Sequence, residues 1–206
     1  MSWTWRSIDW TLQKDGADMA RIEDLADRFG RHIATPWQRT VSGAQRVVML
    51  VYDKELERTL RARKVAFETA TRQAGHDWHE IDVSDAFASW MASDEYREAY
   101  FEAPEDLQLK LQAEFPEYVA ERLRSALTAA GVNEDSVVAL FGVGALFGFA
   151  RLSQILKMVE ADIKGRLVVF FPGHLDRSNY RLLDARDGWN YLAVPITLHG
   201  EGGGVQ

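Results

Sequence analysis

The stretch from Val137 to Gly173 constrains the fold more than any other part of the chain. Val137 to Phe141 and Leu167 to Phe171 are short, almost uniformly apolar runs. Such runs suit strands buried on both faces, as in a parallel sheet covered by helices. Between them Phe149, Leu152, Ile155, Leu156, Val159 and Ile163 recur at helical spacing, with Arg151, Lys157, Glu160 and Asp162 mostly turned away. That pattern is one apolar stripe on an amphipathic helix. Gly165 can stop the helix and let the chain turn into the next strand. The unit is therefore strand, helix, strand, with a right-handed crossover expected.

The same alternation occurs earlier. Asp18 to Ala34 reads as a helix with Ile22, Leu25, Ala26, Phe29 and Ile33 on one face, ended before Pro36. Arg46 to Tyr52 is a buried strand candidate with Asp53 at its carboxyl end. A helix over Lys54–Ala74, stopped at Gly75, leads to a short strand over His79–Val83, and Ser84 is placed to cap a helix through Trp90. Asp94 to Ala130 is a charged helical insert in which Leu107, Leu111, Phe115, Val119, Leu123 and Leu127 step by four. Pro116 fits the first turn of a second helix there. After the central unit a loop over Pro172–Asn179 is expected. Strands over Tyr180–Leu183 and Tyr191–Thr197 then follow, joined by a turn and forming an antiparallel edge hairpin. The expected fold is α/β: a mostly parallel central sheet flanked by helices, with a helical insert and a C-terminal antiparallel edge hairpin. Residues 1–200 read as a single α/β domain and 201–206 as a flexible tail. Trp3, Trp5 and Trp10 are expected to cap the core.

Composition narrows the function classes. The absence of cysteine excludes a disulfide framework, Cys-ligated metal and thiol catalysis, and it fits a reducing, cytoplasmic setting. A net charge of -7 disfavours direct DNA binding and loose attachment to anionic lipid. Arg58, Arg61, Arg63 and Lys64 form the densest basic group and read as a solvated helix face. No stretch approaches the roughly 18 apolar residues of a membrane span, and the N-terminus does not read as a signal peptide.

In open α/β sheets ligands bind outside the carboxyl ends of the strands. Asp53, Asp82, Asp85, the turn Phe141–Gly144 and the segment Pro172–His174 fall there. The acidic residues could hold a metal or cap the next helix, and the capping role is the expectation. Gly142, Gly144 and Gly148 miss the dinucleotide spacing by one residue, and no phosphate loop follows the first strand. These glycines read as turn and packing positions. His76 and His79 fall in a loop-to-strand region rather than on a helix, and His174, Asp176 and Ser178 are too close in sequence for a triad. No cofactor and no catalytic or metal residue is assigned.

The run LVVFFPGHLDRSNYRLLDARDGWNYLAVPI, Leu167 to Ile196, resembles the C-terminal signature of the BrxB family of BREX phage-defence proteins. Pro172-Gly173, Tyr180 to Leu183, Asp187-Gly188, Tyr191 and Pro195 carry the resemblance, and VVALFGVGALFGFARLSQIL is similar to that family's strand-to-helix turn. The resemblance implies a non-enzymatic assembly or adaptor subunit of a BREX complex. Its partners would be other BREX subunits, PglZ foremost. The alternative is a nucleotide-binding or metal-dependent enzyme using the carboxyl edge. Tyr180, Arg181, Asp187, Trp189 and Tyr191 are the candidate protein-binding residues, because partner surfaces are enriched in Tyr, Trp and Arg. Asp-Gly is also a turn signal and aromatics favour strands, so a plain structural hairpin fits the same segment.

Overall fold

Strands β1 (Val47–Tyr52), β3 (Ser136–Phe141) and the first half of β4 (Arg166–Asp176) are buried along their length, apart from partly exposed Arg166 at the start of β4. Side chains alternate across a strand, so each apolar run feeds two cores at once. Val47, Met49, Val51, Val138, Leu140, Leu167, Val169 and Phe171 point to one side. Val48, Leu50, Tyr52, Val137, Ala139, Phe141, Val168 and Phe170 point to the other. The result is a three-layer α/β/α arrangement. The computed structural model describes residues 5–185 and 188–198.

With β2 (Asp77–Asp82) and β7 (Val194–Thr197) the sheet runs β2-β3-β4-β1-β7, and these four pairings are parallel. β4 is central, with Val169 opposite Leu140 on one side and Met49 on the other. One face is covered by α1 (Trp5–Ile33), α2 (Glu57–Ala62) and α3 (Lys64–Gln73). The other is covered by α4 (Ala86–Ala92), α6 (Leu107–Ala113), α7 (Phe115–Leu127) and α8 (Leu152–Val159). A short α5 (Arg97–Glu102) completes the helical insert. Buried Asp94 fastens that insert by accepting from the Tyr96 amide at 2.8 Å and from Lys110. As expected, Pro116 sits in the first turn of α7.

Several elements differ from the sequence expectation. The first helix starts at Trp5, well before Asp18, and carries Gly16 inside it. Trp3 lies outside the described residues, and the side chains of Trp5 and Trp10 are likewise outside them. The helix expected over Lys54–Ala74 opens with a 3-10 turn at Lys54–Leu56 and breaks at Arg63, where φ is -112° and ψ 11°. Phe149 precedes α8 instead of opening it.

The largest difference follows Phe171. Instead of a loop, β4 continues to Asp176 and turns through Arg177 and Ser178 into β5 (Asn179–Leu182), antiparallel to it. The Gly173 backbone passes so close to Arg181 that a Cβ would lie 2.1 Å from the Arg181 carbonyl oxygen. The two-residue β6 (Trp189–Asn190) pairs antiparallel with β5, so the C-terminal hairpin is present, but its second strand is Trp189–Asn190 and not the expected Tyr191–Thr197. The chain then leaves it, and β7 returns to the sheet as a parallel edge strand beside β1. Pro195 is tolerated there because an edge strand has one unpaired side. The 201–206 tail lies outside the described residues.

Candidate functional site

Two features share the carboxyl edge of the sheet. One is the set of acidic residues after β1 and β2. The other is the antiparallel flap made by the end of β4, β5 and β6.

The acidic residues do not cap helices with their side chains. Asp53 and Asp85 occupy the positions before a 3-10 turn and before α4, yet neither side chain bonds to a helix amide. Ser84 does not cap α4 either, since its hydroxyl receives an Arg61 N–H at 2.7 Å. Arginines take the carboxylates instead. Arg21 pairs with Asp53, Arg61 donates to Asp82 at 2.6 Å, and Arg122 donates to Asp85 at 3.0 Å. A charge-assisted bond to a guanidinium outweighs one to a neutral amide, which accounts for the exchange. Partial burial opposes ionisation of Asp82, but Arg61 and Ser84 hold its carboxyl below the usual carboxylate range. Bonds to Ser89 and Arg122 do the same for Asp85. Asp82 is held in turn by its bond from the Ser84 amide at 2.8 Å. These three carboxylates are thus neutralised, and no group of three or more His, Asp and Glu among the described residues is placed to hold a metal ion.

The glycine turn after β3 is packed. Gly142 has φ +81°, and a Cβ there would lie 2.4 Å from Asp82 Oδ1 and 2.6 Å from the Ser84 nitrogen. Val143 and Leu146 of the same turn are buried in the core. Arg61, Arg63 and Lys64 of the basic helical group are paired with Asp82 and Glu57, Glu23, and Glu80 respectively. The expected solvated helix face is therefore only partly met: Arg58, Arg63 and Lys64 are exposed, but the helix breaks at Arg63, and half-buried Arg61 turns to the carboxyl edge.

In the flap, the aromatics that look exposed in the sequence turn inward. Tyr180 is 2% exposed and Tyr191 7%. Tyr180, Trp189 and Phe171 form a ring cluster with centroids 5.3 to 6.2 Å apart, and Tyr191 lies 5.9 Å from Trp189. Burial pushes the Tyr180 hydroxyl up to about 12. Burial also raises Tyr191, whose hydroxyl donates to Glu160 at 2.7 Å. Aromatics so placed anchor the flap to the core. Its outer surface carries His174, Asp176, Arg177 and Arg181, with Arg181 donating to Asp176 at 3.2 Å. Leu192, just past the flap, is 74% exposed. Asp187 lies outside the described residues.

Side chains tie the flap to the acidic edge. Lys54 pairs with Asp184, and His174 Nδ1 lies 3.8 Å from Asp53 Oδ1. The backbone is unusual at both ends of β5. Arg177 and Leu183 adopt φ of 56° and 52°, the only non-glycine residues at positive φ among those described. The sequence gives little warning of these features. Arg21 and Arg122 come from helices remote in sequence, and a positive φ at Arg or Leu breaks the usual preference for glycine.

A family model described as BREX protein BrxB matches residues 80–196, from β2 through β7. No curated protein and no solved structure matches the chain.

Proposed function

The chain belongs to the BrxB family and is a component of a BREX phage-defence system; from that premise we propose that it is a non-enzymatic assembly or adaptor subunit. It acts by protein–protein contacts, and PglZ is the preferred partner. The observation that carries this reading is the flap. The central strand runs past the ends of both neighbours into a separate antiparallel unit, whose bends at Arg177 and Leu183 hold strained backbone. Strain of this kind costs on the order of 1–3 kcal/mol per residue, persists only where its surroundings enforce it, and clusters at functional positions. The buried face of Tyr180, Trp189 and Tyr191 makes the flap rigid, so little ordering entropy is lost when a partner docks. Arg181 and the exposed part of Trp189 supply the residue types that anchor partner surfaces, and Leu192 adds exposed apolar area beside them.

The carboxyl-edge enzyme reading has weaker support. Its carboxylates already have arginine partners, and its glycine turn is filled by apolar side chains. The test is co-purification from cells carrying the whole system, with this chain tagged. Recovery of PglZ with the tagged chain is the expected result. Recovery of none of the BREX components contradicts the reading.

A further inference from the structure

A second concave site lies at the opposite, amino end of the sheet. It is a cavity of about 330 Å³ built from the loop after α1, the residues just before β1, β2 and β3, and the start of β4. Arg39, Arg46, Lys164 and Arg166 line it, against Glu134 and Asp135. Four cations against two carboxylates leave a surplus of two positive charges, in a protein whose net charge is -7.

Three of these cations lack an acidic partner among the described residues. Arg46 donates only to main-chain carbonyls: Ile163 at 2.7 Å, Lys164 at 2.9 Å and Arg39 at 2.9 Å. Lys164 reaches the Val132 carbonyl at 3.2 Å, and Arg166 makes one contact of 3.3 Å to the Gly165 carbonyl. The arginines at the carboxyl edge, by contrast, each hold a carboxylate. Partial burial lowers the Arg166 pKa, and the nearby charge of Arg46 lowers it further. An anion beside Arg166 favours its charged form and so offsets both effects.

The wall is preorganised. Trp37 stacks on His76 with centroids 3.8 Å apart and rings 10° from parallel, and its indole N–H donates to the Ile33 carbonyl at 3.0 Å. The Arg166 guanidinium lies 4.7 Å from the Trp37 ring centroid. A cation held against an aromatic face keeps its direction without using its N–H donors. Lys164 and Arg166 therefore retain donors for a ligand, and Arg46 adds fixed charge.

We propose that this amino-edge pocket binds a phosphate dianion, free or carried as a monoester. Arg166 and Lys164 are its hydrogen-bonding donors. A phosphate monoester carries a charge of about -1.5 to -2 near neutral pH and three strong acceptor oxygens, which match the surplus charge and the spare donors. The site is independent of the flap at the other end of the sheet.

The test is a nitrogen-15 NMR titration of the full chain, following the Trp37 indole and Arg166 side-chain signals. The arms are inorganic phosphate, AMP, adenosine, and sodium chloride at matched ionic strength. Saturable shifts at these signals are expected, with Kd of about 1 mM or tighter for phosphate. Arg166→Gln and Lys164→Gln should each weaken binding roughly tenfold or more, while the distant Lys157→Gln leaves it unchanged. AMP binding more tightly than phosphate, with adenosine silent, identifies a nucleotide monoester as the source. Equal affinities identify phosphate itself. The proposal is overturned if no saturable shift develops by about 20 mM phosphate, if chloride or adenosine gives the same shift, or if both variants bind as wild type. Should Arg166→Gln lose its folded spectrum, Lys164→Gln decides the outcome.

Discussion

Replacing Val169 by aspartate attacks the strand on which both cores rest. Val169 is fully buried in β4, between Met49 of β1 and Leu140 of β3, and faces the core shared with α7 and α8. Losing the buried valine side chain costs about 2 kcal/mol of apolar burial. A carboxyl group left there without a partner adds roughly 2–3 kcal/mol or more. The sum, about 4–5 kcal/mol, is a large share of the roughly 5–15 kcal/mol that stabilises a typical domain. At roughly 2–4 °C per kcal/mol for a chain of this size, Tm should fall by about 10–20 °C, or the variant should fail to fold. Val169→Ala isolates the packing loss and should cost about 2 kcal/mol. Burial raises the folded-state pKa of the new carboxyl, so between its unfolded value near 4 and that raised value the folded state binds more protons. Stability of Val169→Asp therefore declines as pH rises through that window, and the gap between the two variants should narrow at about pH 4 relative to pH 7.5. Urea and thermal denaturation followed by circular dichroism measure all of this. A Val169→Asp protein that melts within about 2 °C of wild type refutes the placement of β4 at the centre of the sheet.

Gly142→Ala forces a side chain to adopt φ +81° and drives a Cβ into Asp82 and Ser84. It should cost about 2–3 kcal/mol, and an unchanged melting curve would show that the turn has room. His32 is held below its ordinary value of 6.5, by burial first and then by Arg166. The folded state thus binds fewer protons than the unfolded one just below pH 6.5, so stability falls with pH from there; His32→Gln should flatten that slope in denaturant titrations between about pH 7 and 5. Trp189→Ala should destabilise by about 3 kcal/mol because its ring packs on Phe171, Tyr180 and Tyr191. Arg181→Ala should instead keep the fold and weaken partner binding by more than about 1 kcal/mol, read by calorimetry.

The parts of the fold legible in the sequence are those where local pattern and long-range packing agree. Val137–Phe141 and Leu167–Phe171 read as strands because a residue buried on either face must be apolar. Pro116 marked a helix start because its missing N–H needs no partner in the first turn. Pro172-Gly173 misled because the pair reads as a turn. Here the proline ends the ladder with β1, beyond the last residue that β3 pairs, and the glycine admits the Arg181 carbonyl. The parallel return of β7 to β1 was hidden for a different reason. It joins segments nearly 150 residues apart, Val48 with Val194 for example, and no local spacing encodes that. Tyr180 and Tyr191 have strand-forming identities that leave their direction open, and the structure turns them inward. The amino-edge pocket was the least legible feature. Arg39 and Arg46 precede β1, Lys164 and Arg166 sit at the start of β4, and the two pairs, more than 100 residues apart, meet only when β1 and β4 pair.

The assembly role is tested most directly by calorimetric titration of purified PglZ into this chain, with ATP and Mg²⁺ titrated separately. The account predicts saturable binding of PglZ at micromolar Kd or tighter, weakened about fivefold or more in Arg181→Ala. Absence of heat with PglZ at about 50 µM, together with saturable nucleotide binding that vanishes in Asp53→Ala, would contradict it and return the function to the carboxyl edge of the sheet.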